Sequence, residues 1–461
     1  MKRTRKPFSL SLVAVILIAA FLLLRMFNTH RYTHPERVIA WDVVSYYSYL
    51  PATFIEHDLT LSFTDHEHAG TYWPETLADG SKVIKTSMGL SIMYCPFFLV
   101  AHVMAPLLGY PADGFSVPYA FALMLAGLCY TLLGLLLLRR VLLRHFPEWI
   151  TAVTLMIVAL CTNLYWYSLY EAPMPHAFSF FLFALFALLT ELWHGRVSAT
   201  GNRTPSWGCS VGIGLTLGLI SLVRPTNALV VIYFLLYGVH SKESFREKWH
   251  LMTASWWKIL LLAVAVILVW IPQMAYWQTV TGHLLYYSYG DSERFFFGDP
   301  KLIEGLFGFR KGWLVYTPVM LFALAGLVPL WRHHRTYFWG IVVFLGLNLY
   351  IVFSWWCWWY GGSCGLRALI ESYALLAIPL AAWIKWVASR KVLLRWVLFV
   401  LLAATAGLSA FHNVRYIYGS IHWDSMTRAA YFDSFFRSHP TGTFASLLEE
   451  PDYEAARNGN R

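Results

Sequence analysis

The sequence predicts an all-α protein that crosses a membrane about eleven times. Of its 461 residues, 58% are hydrophobic and only 13% are charged, and the mean hydropathy is +0.52. A soluble domain carries roughly 25% charged residues. Long apolar runs, with basic residues unevenly distributed between them, indicate the same class. We therefore expect a polytopic membrane protein and exclude a soluble enzyme.

The first apolar run extends from Phe8 to Phe27. A helix of about 20 residues is about 30 Å long, which is enough to cross the hydrocarbon core. The run ends in Arg25-Met26-Phe27 rather than in the small residues of a cleavage site, so we expect an uncleaved anchor. The basic residues before it predict a cytoplasmic amino terminus. They are Lys2, Arg3, Arg5 and Lys6.

Further apolar runs of helical length lie at residues 116–138, 149–167, 176–193, 207–223, 226–240, 256–277, 313–331, 337–356, 369–388 and 393–411. With a cytoplasmic start, alternate loops place the following residues inside, as the positive-inside rule requires: Arg139, Arg140, Arg144, Arg196, Arg203, Lys242, Arg246, Lys248, Lys258, Arg332, Arg335, Arg390, Lys391 and Arg395. The carboxyl terminus is then outside. A basic inner face against anionic lipid explains the net charge of +10, so no nucleic acid partner is expected.

The apolar segment from Met88 to Gly109 is not counted as a span. If it crossed the membrane, every later loop would invert its charge bias. Pro96, Pro106 and Pro111 interrupt it, which suits a broken helix against protein better than a continuous helix in lipid. We expect an interfacial or re-entrant helix on the outer surface.

The predicted organisation is a transmembrane domain over residues 1–411, with residues 28–115 as a first periplasmic loop, and a periplasmic tail over residues 412–461. Composition does not separate a folded cap from a mobile tail. Cys357 and Cys364 fall near the outer face, where disulfides are permitted, and either a bridge or two free thiols fits the sequence.

The candidate site residues are polar side chains expected at the outer membrane face, where an unpaired charge is costly unless it serves a function. Besides Glu56 and Asp58, they are Asp42, Lys85, Glu171, His176, Arg224, Arg367 and Glu371. The sequence has no CxxC, no HExxH and no His and Cys cluster with metal spacing. No cofactor is therefore expected, and the sequence does not support a divalent metal without excluding one.

Each candidate has a structural alternative. Asp42 is either a catalytic carboxylate or the N-cap of a helix from Val43 to His57. Glu171 and His176 flank a proline-containing turn, where a local hydrogen bond is as good an explanation as a substrate contact. Arg224 ends a helix and either snorkels to lipid headgroups or binds a phosphate.

Arg367 follows the segment from Tyr360 to Leu366, whose three glycines would let the backbone approach a phosphate or sugar closely. The adjacent tryptophans are either an interfacial belt or a surface for sugars. They are Trp355, Trp356, Trp358 and Trp359.

Five segments together resemble the GT-C superfamily of integral membrane glycosyltransferases, which use polyprenyl-phosphate-linked sugars. The resemblance is to the bacterial branch related to aminoarabinose transferase and protein mannosyltransferases, and it covers residues 8 to about 411. The segments are Trp41-Asp42 with Tyr46-Tyr47, Lys85-Thr86-Ser87-Met88-Gly89, Leu222-Val223-Arg224-Pro225-Thr226, Arg310-Lys311-Gly312-Trp313 before Thr317-Pro318, and Gly361-Gly362-Ser363-Cys364-Gly365-Leu366-Arg367.

The resemblance implies the GT-C fold and two residue roles. Asp42 matches the first-loop carboxylate that acts on the acceptor, and Lys85 matches the basic residue that contacts the lipid phosphate. The chain departs from the family after Lys85, where relatives often have prolines, and at Gly362-Ser363-Cys364-Gly365, where relatives have Gly-Gly-x-Ser-Phe-Gly.

These observations predict transfer of a sugar from a polyprenyl-phosphate donor to a lipid, glycan or protein acceptor at the periplasmic face of a bacterial inner membrane. The mechanism is an inverting displacement with Asp42 as the base, and Lys85, Glu171, His176, Arg224, Arg367 and Glu371 bind substrate. Two alternatives stay open. A transporter or flippase of lipid-linked glycans would have broken helices at mid-membrane, and an O-antigen polymerase or ligase would have its main outer loop late in the chain.

Overall fold

A computed structural model describes residues 9–65, 69–195, 205–290 and 292–461. Part of the topology prediction falls outside the described residues, namely Lys2, Arg3, Arg5, Lys6, Arg196 and Arg203. The side that the topology prediction assigns to the periplasm is called the outer side.

The first described element is the long helix α1 (Leu10–Thr29). The outer loop after it contains the short helices α2 (Pro35–Val38), α3 (Asp42–Tyr47), α4 (Tyr49–Phe54) and α5 (Ala69–Tyr72), the antiparallel strands β1 (Glu75–Thr76) and β2 (Lys82–Val83), and 3-10 turns at Arg31–Thr33 and Ser62–Asp65. It ends with a longer helix, α6 (Gly89–Leu107). The single helix expected from Val43 to His57 is therefore two short ones. The Ser48 hydroxyl donates to the carbonyl of Val44 at 2.7 Å, a back-bond that bends or interrupts a helix.

The remaining helices form the bundle and the outer tail. They are α7 (Val117–Leu142), α8 (Glu148–Leu160), α9 (Leu164–Leu169), α10 (Pro175–Gly195), α11 (Trp207–Val223), α12 (Val231–Leu236), α13 (Lys242–Ala254), α14 (Trp256–Thr281), α15 (Leu302–Phe307), α16 (Trp313–Tyr316), α17 (Met320–Ala325), α18 (Leu327–His333), α19 (Arg335–Ser354), α20 (Tyr373–Ala388), α21 (Val392–Ile417), α22 (Arg428–Asp433) and α23 (Tyr453–Arg457), with 3-10 turns at Pro225–Val230, Arg367–Ser372 and Phe444–Leu447.

Within the described residues, eight helices are long and apolar enough to cross a membrane, and four shorter apolar helices accompany them. Every predicted span coincides with one of these helices, and the predicted all-α, multi-pass class is confirmed. The number of eleven spans stays a prediction.

Helix α6 is the one apolar helix of this set that was predicted not to span. Two of its contacts lie at the outer ends of its neighbours. The Tyr94 hydroxyl donates to the carbonyl of Pro173, in the turn before α10, and the His102 ring lies 2.6 Å from the hydroxyl of Tyr119, near the start of α7. These contacts favour the predicted surface position. The expected break is wrong, because the helix continues through Pro96, which removes only one backbone donor.

The outer tail is folded onto the loops below it, which resolves the choice between a cap and a mobile tail. Arg310 donates to the carbonyls of Asp424 at 2.9 Å and Glu449 at 3.1 Å, and the Tyr453 hydroxyl donates to Asp424 at 3.1 Å. A small apolar cluster joins the tail to the bundle through Tyr316, Ile421, Met426, Tyr431 and Phe444. Cys357 and Cys364 are free thiols.

Candidate active site

A cavity of about 570 Å³ opens at the outer ends of the bundle helices. The predicted site residues that line it are Asp42, Lys85, His176, Arg224 and Arg367. They come from α3, from the extended segment before α6, from the start of α10, from the end of α11 and from the turn before α20. The fold thus gathers residues that lie far apart in the sequence.

Asp42 is the first residue of α3, and Trp41 occupies the N-cap position. The alternative that Asp42 is the N-cap is therefore wrong. One carboxylate oxygen of Asp42 lies 3.0 Å from a terminal nitrogen of Arg367, while the side chain is 53% exposed. The carboxylate is thus fixed in orientation and accessible from the cavity. Next to it, burial raises the pKa of Tyr46 to about 12, so this hydroxyl stays protonated.

Glu371 forms an ion pair with Arg224 on the side away from the cavity. One guanidinium nitrogen lies 2.8 Å from a Glu371 carboxylate oxygen, and the Nδ1 atom of His176 lies 3.2 Å from the same oxygen. Glu371 is only 2% exposed and does not line the cavity. It orients Arg224 and His176, and removing one partner of such a buried pair costs about 3–5 kcal/mol.

Lys85 lies on an extended segment that neighbouring elements fix in place. The Thr86 amide donates to the Ser45 hydroxyl at 3.2 Å, the Tyr49 hydroxyl donates to the Thr86 carbonyl at 2.7 Å, and the Met88 amide donates to the Gln273 side chain at 2.7 Å. Together these bonds fix the position of the backbone next to Lys85.

The Lys85 ammonium group lies 3.0 Å from Glu293 and 3.7 Å from Glu75, two carboxylates that also line the cavity. Glu293 was not predicted, because it lies 208 residues after Lys85 in a loop without a recognisable motif. Tyr453, which reaches the cavity from the tail, was not predicted either.

Glu171, the remaining predicted site residue, does not line the cavity. Burial raises the pKa of its carboxyl, and the guanidinium groups of Arg367 and Arg31 oppose that rise. Glu171 therefore belongs to the charged surroundings of Arg367, and the structure does not place it where a substrate would touch it.

The backbone of the glycine-containing segment before Arg367 was expected to approach a ligand, and only part of it faces the cavity. Gly361, with φ +61°, lines the cavity, but the carbonyls of Ser363 and Cys364 accept hydrogen bonds from the protein itself. The donors are Lys311 to Ser363, and Asn163 to Cys364 at 3.0 Å. Most of this backbone therefore holds Arg367 in place and does not face the cavity.

The three cations that line the cavity are each paired with a carboxylate: Lys85 with Glu293, Arg367 with Asp42, and Arg224 with Glu371. An anionic group that enters must compete with these carboxylates for the cations. Among the described residues, no group of three or more His, Cys, Asp or Glu side chains forms a metal-binding cluster.

The fold and the site define a multi-pass helical membrane protein with a polar cavity at one end of its bundle. No protein-family model matches the chain, and no curated protein matches it. Two solved structures of the oligosaccharyltransferase of Archaeoglobus fulgidus align with 96% of the chain, each at 13% identity and a TM-score of 0.47. One is the apo form, and the other is tethered through a disulfide to an acceptor peptide with an NVT sequon. The chain spans 60% and 59% of their lengths, respectively.

Proposed function

We propose that the protein is a membrane glycosyltransferase of the GT-C type. It transfers a sugar from a polyprenyl-phosphate donor to an acceptor hydroxyl at the periplasmic face of a bacterial inner membrane. The observation that carries this proposal is the convergence of Asp42, Lys85, Arg224 and Arg367 on one cavity at the outer end of the bundle. A carboxylate next to several cations fits a reaction that needs a base and releases a phosphate.

In the proposed reaction, Asp42 removes a proton from the acceptor hydroxyl as that oxygen attacks the anomeric carbon of the donor. The bond between the anomeric carbon and the phosphate oxygen breaks, and polyprenyl phosphate leaves with the electron pair. Configuration at the anomeric carbon is inverted. A positioned base of this kind contributes about 10²–10⁴-fold.

The leaving phosphate gains negative charge, which preorganised cations stabilise. Arg224 and Arg367 present planar forks suited to phosphate oxygens, and Lys85 supplies a point charge. These side chains provide the positive charge in the proposed mechanism.

Partner exchange at Arg367 links donor binding to the base. Arg367 pairs with Asp42 at 3.0 Å, so a phosphate that binds the guanidinium competes with the carboxylate. Donor binding then frees the Asp42 carboxylate from Arg367, so that it can accept a hydrogen bond from the acceptor hydroxyl.

The test uses purified protein in liposomes with a synthetic, radiolabelled polyprenyl-phosphate sugar and a cell-envelope extract as acceptor. We expect a labelled, glycosidically linked product that a nucleotide sugar cannot replace as donor. Arg367→Lys keeps the charge and loses the fork, so it should raise the donor KM. The exposed tail residue Arg428 provides the matched control, Arg428→Lys, which should keep the wild-type donor KM.

Two results would refute this function. Transfer from a nucleotide sugar without lipid carrier would place the protein in another class of transferase. Movement of the labelled lipid across the bilayer with no glycosidic bond formed would identify a flippase.

A further inference from the structure

Two tryptophans form an exposed aromatic pair at the rim of the cavity. Trp41 is 75% exposed and Trp73 is 51% exposed, and both line the cavity. Their ring centroids are 5.8 Å apart, with the ring planes at 67°. Neither ring is used by the proposed mechanism.

The backbone at both residues is in a left-handed conformation that side chains other than glycine rarely adopt. Trp41 has φ 53° and ψ −135°, and Trp73 has φ 49°. The described part of the chain has six such non-glycine residues, and three of them, Trp41, Trp73 and Tyr360, line this cavity. Each costs about 1–3 kcal/mol and persists only where the surrounding structure enforces it. At Trp41 and Trp73, the strained backbone keeps two large apolar rings exposed at the cavity.

Carboxylates flank both rings. Asp42 follows Trp41 directly, and Glu75 lies two residues after Trp73, with its side chain 52% exposed. Asp42 is paired with Arg367 and Glu75 with Lys85, so the charge beside the rings is largely balanced. Such surroundings suit a neutral ligand with an apolar face and hydroxyl donors on its edge.

We infer that Trp41 and Trp73 form the acceptor subsite and that the acceptor is a carbohydrate, whose sugar ring packs its C–H face on the indoles. This inference rests on the proposed function. A ring on Trp41 directs an edge hydroxyl to the neighbouring Asp42 carboxylate, and Glu75 accepts from a second hydroxyl. The ligand class is a neutral sugar at the end of a glycan or glycolipid.

The test compares glycine variants of the two tryptophans in reconstituted full-length protein. Glycine adopts left-handed φ without strain and is tolerated at an N-cap, so Trp41→Gly and Trp73→Gly remove the rings and preserve the backbone. With an alkyl-linked disaccharide as the acceptor probe, we expect each variant to raise the acceptor KM about tenfold, the size of one aromatic contact. The donor KM should stay close to wild type, and the melting temperature should not fall, because glycine relieves the backbone strain. Phe436, an outer aromatic residue that is 89% exposed and away from the cavity, gives the control Phe436→Ala.

Binding of the same disaccharide without donor, measured by calorimetry, tests the inference separately from catalysis. If wild type binds the disaccharide and both glycine variants bind it more weakly, the subsite is supported even when no transfer is detected. In that case only the proposed function fails. An unchanged acceptor KM and unchanged binding would overturn the subsite. A peptide acceptor whose KM depended equally on the two rings would also overturn it. An equal rise in the donor KM and the acceptor KM would overturn it as well, because it would identify the tryptophans as membrane anchors.

Discussion

Asp42 is the residue at which base catalysis is most directly testable. Asp42→Asn keeps the side-chain shape and leaves an amide oxygen to accept from Arg367, but it removes the basicity. We expect near-normal abundance in the membrane and a fall in transfer of about 10²-fold or more. Full activity of the purified variant would assign Asp42 a purely structural role, and loss of the protein from the membrane would also contradict the prediction.

Lys311 allows a pH prediction for stability. It is 1% exposed, and burial lowers the pKa of its ammonium group to about 7, whereas lysine in an unfolded chain titrates near 10.4. Between these values the unfolded chain binds more protons, so the native state gains stability as pH rises from about 7 toward 10. We expect the melting temperature of detergent-solubilised protein to rise over that range.

Lys311→Met keeps an unbranched side chain and removes the titrating group. The rise in melting temperature between pH 7 and 10 should therefore be smaller in this variant than in wild type. An equal rise in both proteins would show that Lys311 is already charged in the folded state, or that other groups cause the dependence.

Charge at a membrane face is expensive, so charged residues predicted there are informative even without an alignment. Most of the predicted site residues line the cavity. The pairing of these residues was not predictable. Glu293 neutralises Lys85 across 208 residues of sequence, and Glu371 orients Arg224 from outside the cavity. Sequence periodicity describes neighbours along one helix, and it contains no information on which distant loops meet.

At the scale of elements, the approach of α6 to α11 fixes the position of the Lys85 segment relative to Arg224. A Cβ atom on Gly89 would lie 2.5 Å from the backbone of Leu222 and Val223, so no side chain fits there. Gly89→Ala should force the two helices apart, lower the melting temperature and reduce donor use. Gly346→Ala is the matched control, since it lies within α19 with nothing within 4 Å of the added carbon.

In that control, alanine should leave activity unchanged and stabilise the helix by about 0.5–1 kcal/mol, because glycine is the poorer helix former. If Gly89→Ala behaved like Gly346→Ala in both melting temperature and donor KM, the close packing of α6 on α11 would be wrong. The sequence predicted that an apolar outer helix follows Lys85. It did not predict this contact, in which Gly89 lies directly against the backbone of Leu222 and Val223.

At the scale of the whole molecule, hydropathy and charge bias predicted the membrane class because the bilayer imposes length and sidedness on every span. The folded state of the tail was not predictable from composition. The tail is held by specific contacts, such as Arg310 with the carbonyls of Asp424 and Glu449. Through Tyr453 the tail also contributes to the lining of the cavity.

The orientation of the molecule depends on whether α6 crosses the membrane. If α6 stays at the outer surface, as its contacts with Pro173 and Tyr119 favour, the loop after α7 is cytoplasmic and the tail is periplasmic. Reporter fusions at Arg140 and Lys248 should then give cytoplasmic signals, and a fusion at Asn458 a periplasmic one. A periplasmic signal at Arg140 would require α6 to span and would reverse the sidedness of every later loop. Asp42 and Lys85 precede α6 and would stay on the periplasmic side, whereas Arg224 and Arg367 would move to the cytoplasmic side. These residues could then not line one cavity, and the proposed site would be wrong.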